Sequence, residues 1–481
     1  MKQRSVLFLL LVLTSLLHAQ QSNVMYYMYR VPQASFLNPA RQYPCRFYMS
    51  LPLLSSIHFN YSNTAFSVKA VSDIIDNTMI INTDKILKHI HHLDHISTEL
   101  HYTLFSMGFK QYDYYFSFSL TEKNEMYLSL PGDLSKFIIN GNVDFLEKNK
   151  PAKFNRIGIN LMHYREYAFG ASRELSEGVL AGIRAKVLFG KANINTRTKQ
   201  LTIYTDPDTY DITVHSDAKI NVSGPVLLET NPDEYIDNIS YDHSASLSKI
   251  IFNRRNPGLA LDGGFFYQYD DNLTLSGSFN DLGFIWWHSY LNNASQNGTF
   301  TFNGQTENNA TGDNLVMHLV DSIRTLFAPA FTHRGYVTAL PLKVYGGAEY
   351  KINSYLRAGV LGRLWMYQYR MHPLLTVHGS ILLSRFATLT ATWSYNNYTL
   401  RNLGAGITLQ TSNIQLYALT DNYAAFFWWK SARNVNARLG LNLFFGCRTK
   451  GRSTGRHGGS NLKCAGCYWY QSMEEKRKRR D

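Results

Sequence analysis

The sequence lacks a long apolar run after its N-terminus, and a membrane-spanning helix needs roughly 20 such residues. The N-terminal run, residues 6–17, is too short to span a bilayer, and it lies between the basic residues Lys2 and Arg4 and the small residue Ala19. A basic start, a short apolar core and a small residue at the cleavage point are typical of a signal peptide. We therefore predict a signal peptide over residues 1–19 and an exported mature chain without a helical anchor.

Cysteine is scarce, with four residues in a chain of 481. Cys45 and Cys447 stand alone, and Cys464 and Cys467 form a single C-x-x-C motif near the C-terminus. Such a pair is compatible with a short disulfide, a redox pair or half of a metal site. Because no second pair and no βαβ pattern accompany it, we predict neither redox chemistry nor a metal site there.

Positive charge is present mainly at one place. The formal net charge is +13, and ten Lys or Arg against three Asp or Glu in residues 447–481 account for +7 of it. Neither a basic helix nor an aromatic platform supports nucleic-acid binding. We predict that residues 447–481 are a basic, disordered tail and that the protein has no nucleic-acid partner.

The chain is rich in aromatic residues and in long amphipathic strands. Aromatic residues make up 14% of it, 32 of them Tyr, which suits the two interfacial girdles of a membrane barrel. Residues 434–445 illustrate the strands: Val435, Ala437, Leu439, Leu441, Leu443 and Phe445 share one face, and the other face is mostly polar. Twelve alternating residues exceed the usual ~5–6 of a globular strand and match the ~9–11 of a membrane strand.

The same alternation recurs over residues 340–446 and 257–289, which predicts an all-β, antiparallel transmembrane barrel with a polar lumen. The adjacent Trp286 and Trp287 suit an interfacial girdle, with packing in a soluble β core as the alternative. Residues 225–256 and 291–311 are predicted to be loops because they are polar and irregular.

Two segments show helical rather than alternating periodicity, which predicts helical insertions at residues 86–100, with Asp84 as a possible cap, and at residues 313–327. In the first, His91 and His95 are four residues apart and could share a metal. Because no second ligand set follows, we prefer a solvated helical face and predict no metal site and no cofactor.

One sequence match to a catalytic motif occurs, with Ser453 as its centre in a G-x-S-x-G pattern. A nucleophile elbow needs a strand before the serine and a helix after it, and the basic tail has neither. We therefore predict that the protein is not an enzyme.

Several short segments together resemble a Bacteroidota outer-membrane family of unknown function. That family is similar in turn to FadL-type fatty-acid transporter barrels and to PorV-type barrels of type IX secretion. The segments that carry the resemblance are residues 33–40, 51–52, 257–264, 281–286, 403–406 and 438–443.

The resemblance implies a barrel of about 14 strands whose N-terminal part lies in the lumen. It assigns the Asn-Pro-Ala motif of such a plug to Asn38, Pro39 and Ala40. The implied organisation is a signal peptide at 1–19, a lead-in or plug at 20–54, an outer-membrane barrel at 55–446 and the tail at 447–481. Its expected partners are outer-membrane lipid, a hydrophobic small molecule and a surface or secretion protein.

Two functions follow from this resemblance as expectations. The first is a passive channel or transporter for hydrophobic small molecules. The alternative is a barrel that transports nothing and instead binds or scaffolds a surface or secretion protein.

Overall fold

A computed structural model describes residues 23–75, 78–224, 226–230, 236–241, 252–302, 330–367, 370–396 and 399–446. The predicted signal peptide, the basic tail with Ser453, Cys464 and Cys467, and the predicted helix at residues 313–327 lie outside these ranges. Among the described residues, no helix is both long and apolar enough to cross a membrane.

The described part of the chain is dominated by β-strands. They are β1 Phe47–Ser50, β2 Ser56–Asn63, β3 Ser72–Ile75, β4 Thr78–Ile81, β5 Leu93–Gln111, β6 Tyr114–Pro131, β7 Ala152–Lys153, β8 Gly158–Ser176, β9 Val179–Thr205, β10 Ile212–Ser223, β11 Val226–Thr230, β12 Ile236–Tyr241, β13 Pro257–Gln268, β14 Leu273–Trp287, β15 Leu291–Phe302, β16 Ala330–Thr332, β17 Tyr336–Ala339, β18 Leu342–Lys351, β19 Leu356–Tyr367, β20 Arg370–Ser384, β21 Ala387–Asn396, β22 Thr399–Gln410, β23 Ile414–Thr420 and β24 Asn434–Phe445.

Short helices lie before and between the strands. The α-helices are Asn23–Tyr27, Val68–Val71, Thr83–His89, Gly132–Asn140, Val143–Leu146 and Ala424–Phe427, and the 3-10 helices are Pro32–Phe36 and Trp429–Ser431.

The wall is a closed antiparallel barrel. β1 and β2 are two halves of its first strand, and each pairs with β24 on one side and with β5 on the other. The ring then runs through β5, β6, β8, β9, β13, β14 and β18 to β24, which makes 14 positions. The pairings Phe47 with Phe445 and Ile57 with Leu439 close it. The predicted fold is therefore confirmed.

The barrel is apolar outside and polar inside, the reverse of a soluble protein. Outward side chains such as Leu259 and Trp393 are 60% and 51% exposed, whereas inward side chains such as Thr376 and Asn442 are fully buried. Lipid tails solvate an apolar outer face, and alternation along each strand turns every second residue inward. This pattern is that of a transmembrane barrel.

The two rims differ. Six hairpin connections of two to four residues lie on the rim where β1 begins and β24 ends. The opposite rim carries most of the longer connections, including β3–β4 and most of the helices outside the lumen. Short turns are typical of the periplasmic side of an outer-membrane barrel. We call the two sides the short-turn rim and the long-loop rim.

A sheet extends the wall at the long-loop rim. β9 pairs with β13 from Val179 to Phe189 and with β10 beyond Asn193. β10 pairs in turn with β15, and β15 with β16. The 27 residues of β9 span roughly 90 Å at ~3.3 Å per residue, well beyond a hydrocarbon core of ~30 Å.

Three local predictions were wrong. Residues 291–302 are β15 and not a loop, and residues 225–256 contain the hairpin β11–β12. The first helical insertion ends at His89 and is capped by Asn82, whose side chain accepts a hydrogen bond from the Lys85 N–H. Residues 93–100 instead belong to β5. This strand pairs with β2 on one side and with β6 on the other, and its side chains alternate between the lumen and the outer surface.

Trp287 and Cys45 differ from what the sequence predicts, which is a pair of interfacial tryptophans and an isolated cysteine. Trp286 faces outward and is 53% exposed, whereas Trp287 is fully buried and donates a hydrogen bond from Nε1 to Thr338 Oγ1 over 2.8 Å. Cys45 does not stand alone, since it is disulfide-bonded.

Candidate functional site: the lumen of the barrel

Residues 23–46, here called the lumenal segment, precede β1 and lie inside the barrel. The Val24 N–H donates to Asp421 Oδ1 over 2.7 Å, just after β23, and Gln33 Nε2 donates to Asn442 Oδ1 over 2.6 Å on β24. On other parts of the wall, the Tyr27 hydroxyl donates to the Val360 carbonyl and the Asn38 amide donates to the Phe265 carbonyl. The segment therefore contacts strands on several sides of the lumen.

One side of the lumenal segment is apolar. Val24, Met25, Met28, Val31 and Ala34 pack against Tyr417 and Leu419 of β23, and Tyr26 and Tyr27 pack against Tyr345 of β18 and Leu361 of β19. Two inward glycines of β22 allow this close packing, because a Cβ at Gly404 or Gly406 would lie 2.6–2.7 Å from Val24 methyl groups. We call the wall residues under these two contacts, Tyr345, Leu361, Tyr417 and Leu419, the apolar strip; the polar inward side chains of β20 and β21 lie between the two pairs.

The Asn-Pro-Ala residues contact the opposite part of the wall. The Asn38 amide donates to the Tyr26 hydroxyl and to the carbonyls of Phe265 and Gly277 over 3.1–3.3 Å, and Asn38 Oδ1 accepts from the Ala40 N–H. A Cβ at Gly182 of β9 would come within 2.4 Å of the Pro39 carbonyl. Asn38 therefore joins two parts of the lumenal segment to β13 and β14.

A network of buried charges lines the lumen beside this contact. Lys186 Nζ lies 2.7 Å from Asp262 Oδ1 and 2.6 Å from Asp281 Oδ1. Lys123 Nζ lies 2.8 Å from Glu166 Oε2 and 3.3 Å from Asp281. Each of the five side chains is at most 10% exposed, so their mutual pairing replaces the water that each charge has lost.

A β-bulge in β14 builds the centre of this network. Asp281 has a φ of 63°, and the pairing with β13 shifts register at this point. The bulge turns two consecutive side chains inward. Asn280 donates to the carbonyls of Phe36 and Leu37, while Asp281 meets the lysines. The bulge thus couples the charge network to the lumenal segment.

A second polar cluster lies where β2 meets β5. His58 and His101 are direct cross-strand partners, and Glu99 lies two residues from His101 on the same inward face. His58 Nε2 is 3.8 Å from Glu99 Oε2, and His101 Nε2 is 2.9 Å from Glu125 Oε1. Lys343 Nζ is 3.5 Å from Glu99 Oε1.

A cavity connects the two polar clusters. It is lined by members of both, together with Phe36 and Leu37 of the lumenal segment. About 70 Å³ of it is available to the centres of water molecules. At roughly 10–15 Å³ per water, this is room for a few waters or a hydrated ion.

One acid outside the strands holds the start of the lumenal segment. Asp421 accepts hydrogen bonds from the Val24 N–H and from Asn436 Nδ2, and it is fully buried. Burial raises the pKa of Asp421 to about 7, although the hydrogen bond from Val24 opposes this increase.

The structure does not join the two histidines that the sequence paired. The His91 imidazole lies 2.9 Å from Asp94 Oδ1, whereas His95 packs in parallel with Tyr127 inside the barrel. Sequence reasoning missed His58, Glu99 and His101. Their alternation marks them as lumenal, but residue spacing alone does not show that β2 pairs with β5 across an insertion of 29 residues.

Comparisons with known proteins identify a family. Residues 39–421 match the model of the family described as "Family of unknown function (DUF5723)". No curated protein matches the chain.

Several solved structures are similar to this chain. The toluene transporter TbuX of Ralstonia pickettii shares 8% identity, with 86% of this chain and 94% of that chain covered and a TM-score of 0.41. A FadL homologue of Pseudomonas aeruginosa shares 10%, with 90% and 100% covered and a TM-score of 0.38. The translocator domain of the autotransporter NalP from Neisseria meningitidis shares 7%, with 89% and 99% covered and a TM-score of 0.32.

Proposed function

We propose that this chain, which belongs to the DUF5723 family of unknown function, is an outer-membrane barrel that lets small apolar molecules pass when its lumenal segment moves. The observation that carries the proposal is the apolar strip. The lumenal segment is held covalently at its C-terminal end, by the chain that continues into β1 and by the disulfide of Cys45, whereas residues 24–38 reach the wall through non-covalent contacts at Asp421, Val360, Asn442 and Phe265. It is therefore a closure that can shift without breaking the wall.

The uncovered strip supports an apolar cargo. Withdrawal of Val24 and Met28 would uncover Tyr417 and Leu419, and withdrawal of Tyr26 and Tyr27 would uncover Tyr345 and Leu361, as apolar surface within the lumen. An apolar solute gains by transfer from water to such a surface, at roughly 25 cal/mol per Å² of buried apolar area. The charge network lies on β6, β8, β9, β13 and β14 and would stay paired within itself. The proposal includes no catalytic group.

A reversible lock tests this function. A Val24→Cys/Gly406→Cys variant brings two thiols within reach, because the Val24 Cγ1 is 2.6 Å from the Cβ position at Gly406 and disulfides need Cβ atoms ~3.5–4.5 Å apart. We expect uptake of a labelled fatty acid by Gram-negative cells carrying the locked barrel to equal that of cells without it. Reductant should restore uptake.

The wild type with and without reductant is the matched control for the lock. Uptake by wild-type cells at the level of barrel-free cells would refute the transport proposal. Equal uptake through locked and released forms would refute the role of the lumenal segment as the closure.

The extended sheet favours a second candidate, in which the barrel binds a surface or secretion protein. β10 and β15 continue the wall at the long-loop rim, and Ile220 of β10 is 37% exposed. A photocrosslinker at Ile220 should yield one defined protein adduct in intact cells, whereas one at the lipid-facing Leu259 should not. Equal crosslinking patterns at both positions would refute this candidate.

A further inference from the structure

The strongest cluster outside the proposed path of cargo is the group of His58, Glu99 and His101. One ligand atom from each lies within 4.8 Å of the others, and this is the one such group of three found among the described residues. We propose that these side chains bind one divalent transition-metal ion, such as Zn²⁺, inside the barrel. This inference goes beyond the transport proposal and does not depend on it.

The donor set and its spacing fit such an ion. Two imidazoles and one carboxylate, with a further position open to water, are a common ligand set for zinc. Two ligands at ~2.0–2.1 Å from a tetrahedral ion are roughly 3.4 Å apart. The 3.8 Å between His58 Nε2 and Glu99 Oε2 is too long for a hydrogen bond, but closing it onto an ion requires a shift of only a few tenths of an ångström.

Unsatisfied buried atoms surround the same point. His58 is 2% exposed, and its Nδ1 has no hydrogen-bond partner within the described part of the chain. Both amide atoms of the fully buried Asn60, the cross-strand partner of Glu99, also lack partners there, and so does Glu125 Oε2. Buried polar atoms without partners cost free energy and often mark a site for an ion or ordered water.

An outer contact orients one of the proposed ligands. His101 Nε2 lies 2.9 Å from Glu125 Oε1. A carboxylate on one ring nitrogen fixes the tautomer of a metal-bound imidazole and increases its basicity at the other nitrogen. Glu125 would therefore position His101, with the adjoining cavity supplying water for the open position.

Two neighbouring cations, Lys343 and Arg438, affect how tightly this site should bind a metal ion. Lys343 lies 3.5 Å from Glu99 Oε1, and Arg438 is the cross-strand partner of His58. Lys343 competes with the metal for the carboxylate, so its removal should strengthen metal binding. Stronger metal binding after the removal of Lys343 would indicate a metal site and not a group of residues that only stabilises the barrel.

The test is Zn²⁺ binding to the purified, full-length protein in detergent after chelator treatment. All proteins would carry Cys464→Ser/Cys467→Ser, so that these thiols do not bind zinc. Isothermal titration should show one equivalent bound, with at least tenfold weaker binding in His58→Ala and in His101→Ala. His91→Ala is the matched control and should bind as tightly as its parent.

Three readouts decide the matter. Co²⁺ should give tetrahedral visible absorption in the parent protein and lose it in His58→Ala, while heat-modifiable migration shows that each variant is folded. Lys343→Met should bind Zn²⁺ more tightly. Absence of saturable binding, unchanged binding in both histidine variants, or weaker binding in Lys343→Met would overturn the proposal.

Discussion

Lys186 is the residue at which the buried charge network can be tested most directly. Its ammonium group contacts Asp262 and Asp281, and it is 2% exposed. In Lys186→Met, Asp281 keeps Lys123 at 3.3 Å. Asp262 loses Lys186, which is the cation within 4 Å of it among the described residues. Its side chain stays fully buried. The cost of the substitution therefore arises mainly at Asp262.

The expected loss is large for a single substitution. Removing one partner of a buried ion pair costs about 3–5 kcal/mol, because the remaining charge is uncompensated. The matched control is Lys199→Met. Lys199 lies 3.0 Å from Asp217, but their side chains are 61% and 36% exposed. An exposed pair contributes at most about 1 kcal/mol.

Urea unfolding of the barrel in phospholipid vesicles measures both variants. We expect a much lower midpoint for Lys186→Met than for Lys199→Met, with most of the loss restored in Lys186→Met/Asp262→Asn, where no unpaired charge remains. Equal midpoints for the two lysine variants would refute the argument that burial makes this network strong. A double variant no more stable than Lys186→Met would show that Asp262 is not the source of the cost.

Three further predictions concern the lumenal segment. Because the pKa of Asp421 rises from its ordinary 3.8 to about 7 on folding, its contribution to stability is complete below pH ~4 and is lost as the pH rises to 7. The loss is on the order of 4 kcal/mol, and an Asp421→Asn variant whose urea midpoint keeps the wild-type dependence on pH would refute this. Gly182→Ala places a Cβ within 2.4 Å of the Pro39 carbonyl and should lower stability by about 1–3 kcal/mol. The control Gly346→Ala, with nothing within 4 Å, should not, and equal midpoints would contradict the close contact. Asn38→Ala removes three hydrogen bonds to Tyr26, Phe265 and Gly277 and should increase the conductance of reconstituted barrels. Unchanged conductance would mean that these bonds do not hold the closure.

The wall of the barrel could be predicted from the sequence because its physical cause is local. Lipid outside and polar groups inside require alternation in each strand, so β24 can be read from its own 12 residues. The same rule fails where register changes. At Asp281 the bulge turns two successive residues inward, and the positive φ that permits it leaves no clear mark in the sequence.

The sequence predicts that polar residues line the lumen, but it does not predict which of them contact each other. Polar alternation places Lys186, Asp262 and Glu99 on the inner face, but their partners come from strands far away in the chain. Lys343 and Glu99 are 244 residues apart, and Lys123 and Asp281 are 158 apart. Which charges meet depends on strand order and on the tilt around the closed ring, and neither is encoded in local spacing.

The apolar strip and the hydrogen bonds of Asn38 and Asn280 give the lumenal segment two different kinds of attachment. Apolar contacts with the strip are non-directional, so they weaken gradually as the segment slides, and two directional bonds must break on this side, Val24 N–H to Asp421 and the Tyr27 hydroxyl to Val360. The hydrogen bonds of Asn38 and Asn280 to backbone carbonyls are directional and are lost within about an ångström. A shift of the segment should therefore begin on the apolar strip and use the Asn38 contacts as its pivot. Variants of Val24 should then change the rate of opening, while variants of Asn38 should change whether the segment returns to the same closed position. Single-channel recordings measure both the rate of opening and the return to the closed state. If Asn38 variants changed the rate of opening and Val24 variants changed the return, this order of events would be refuted.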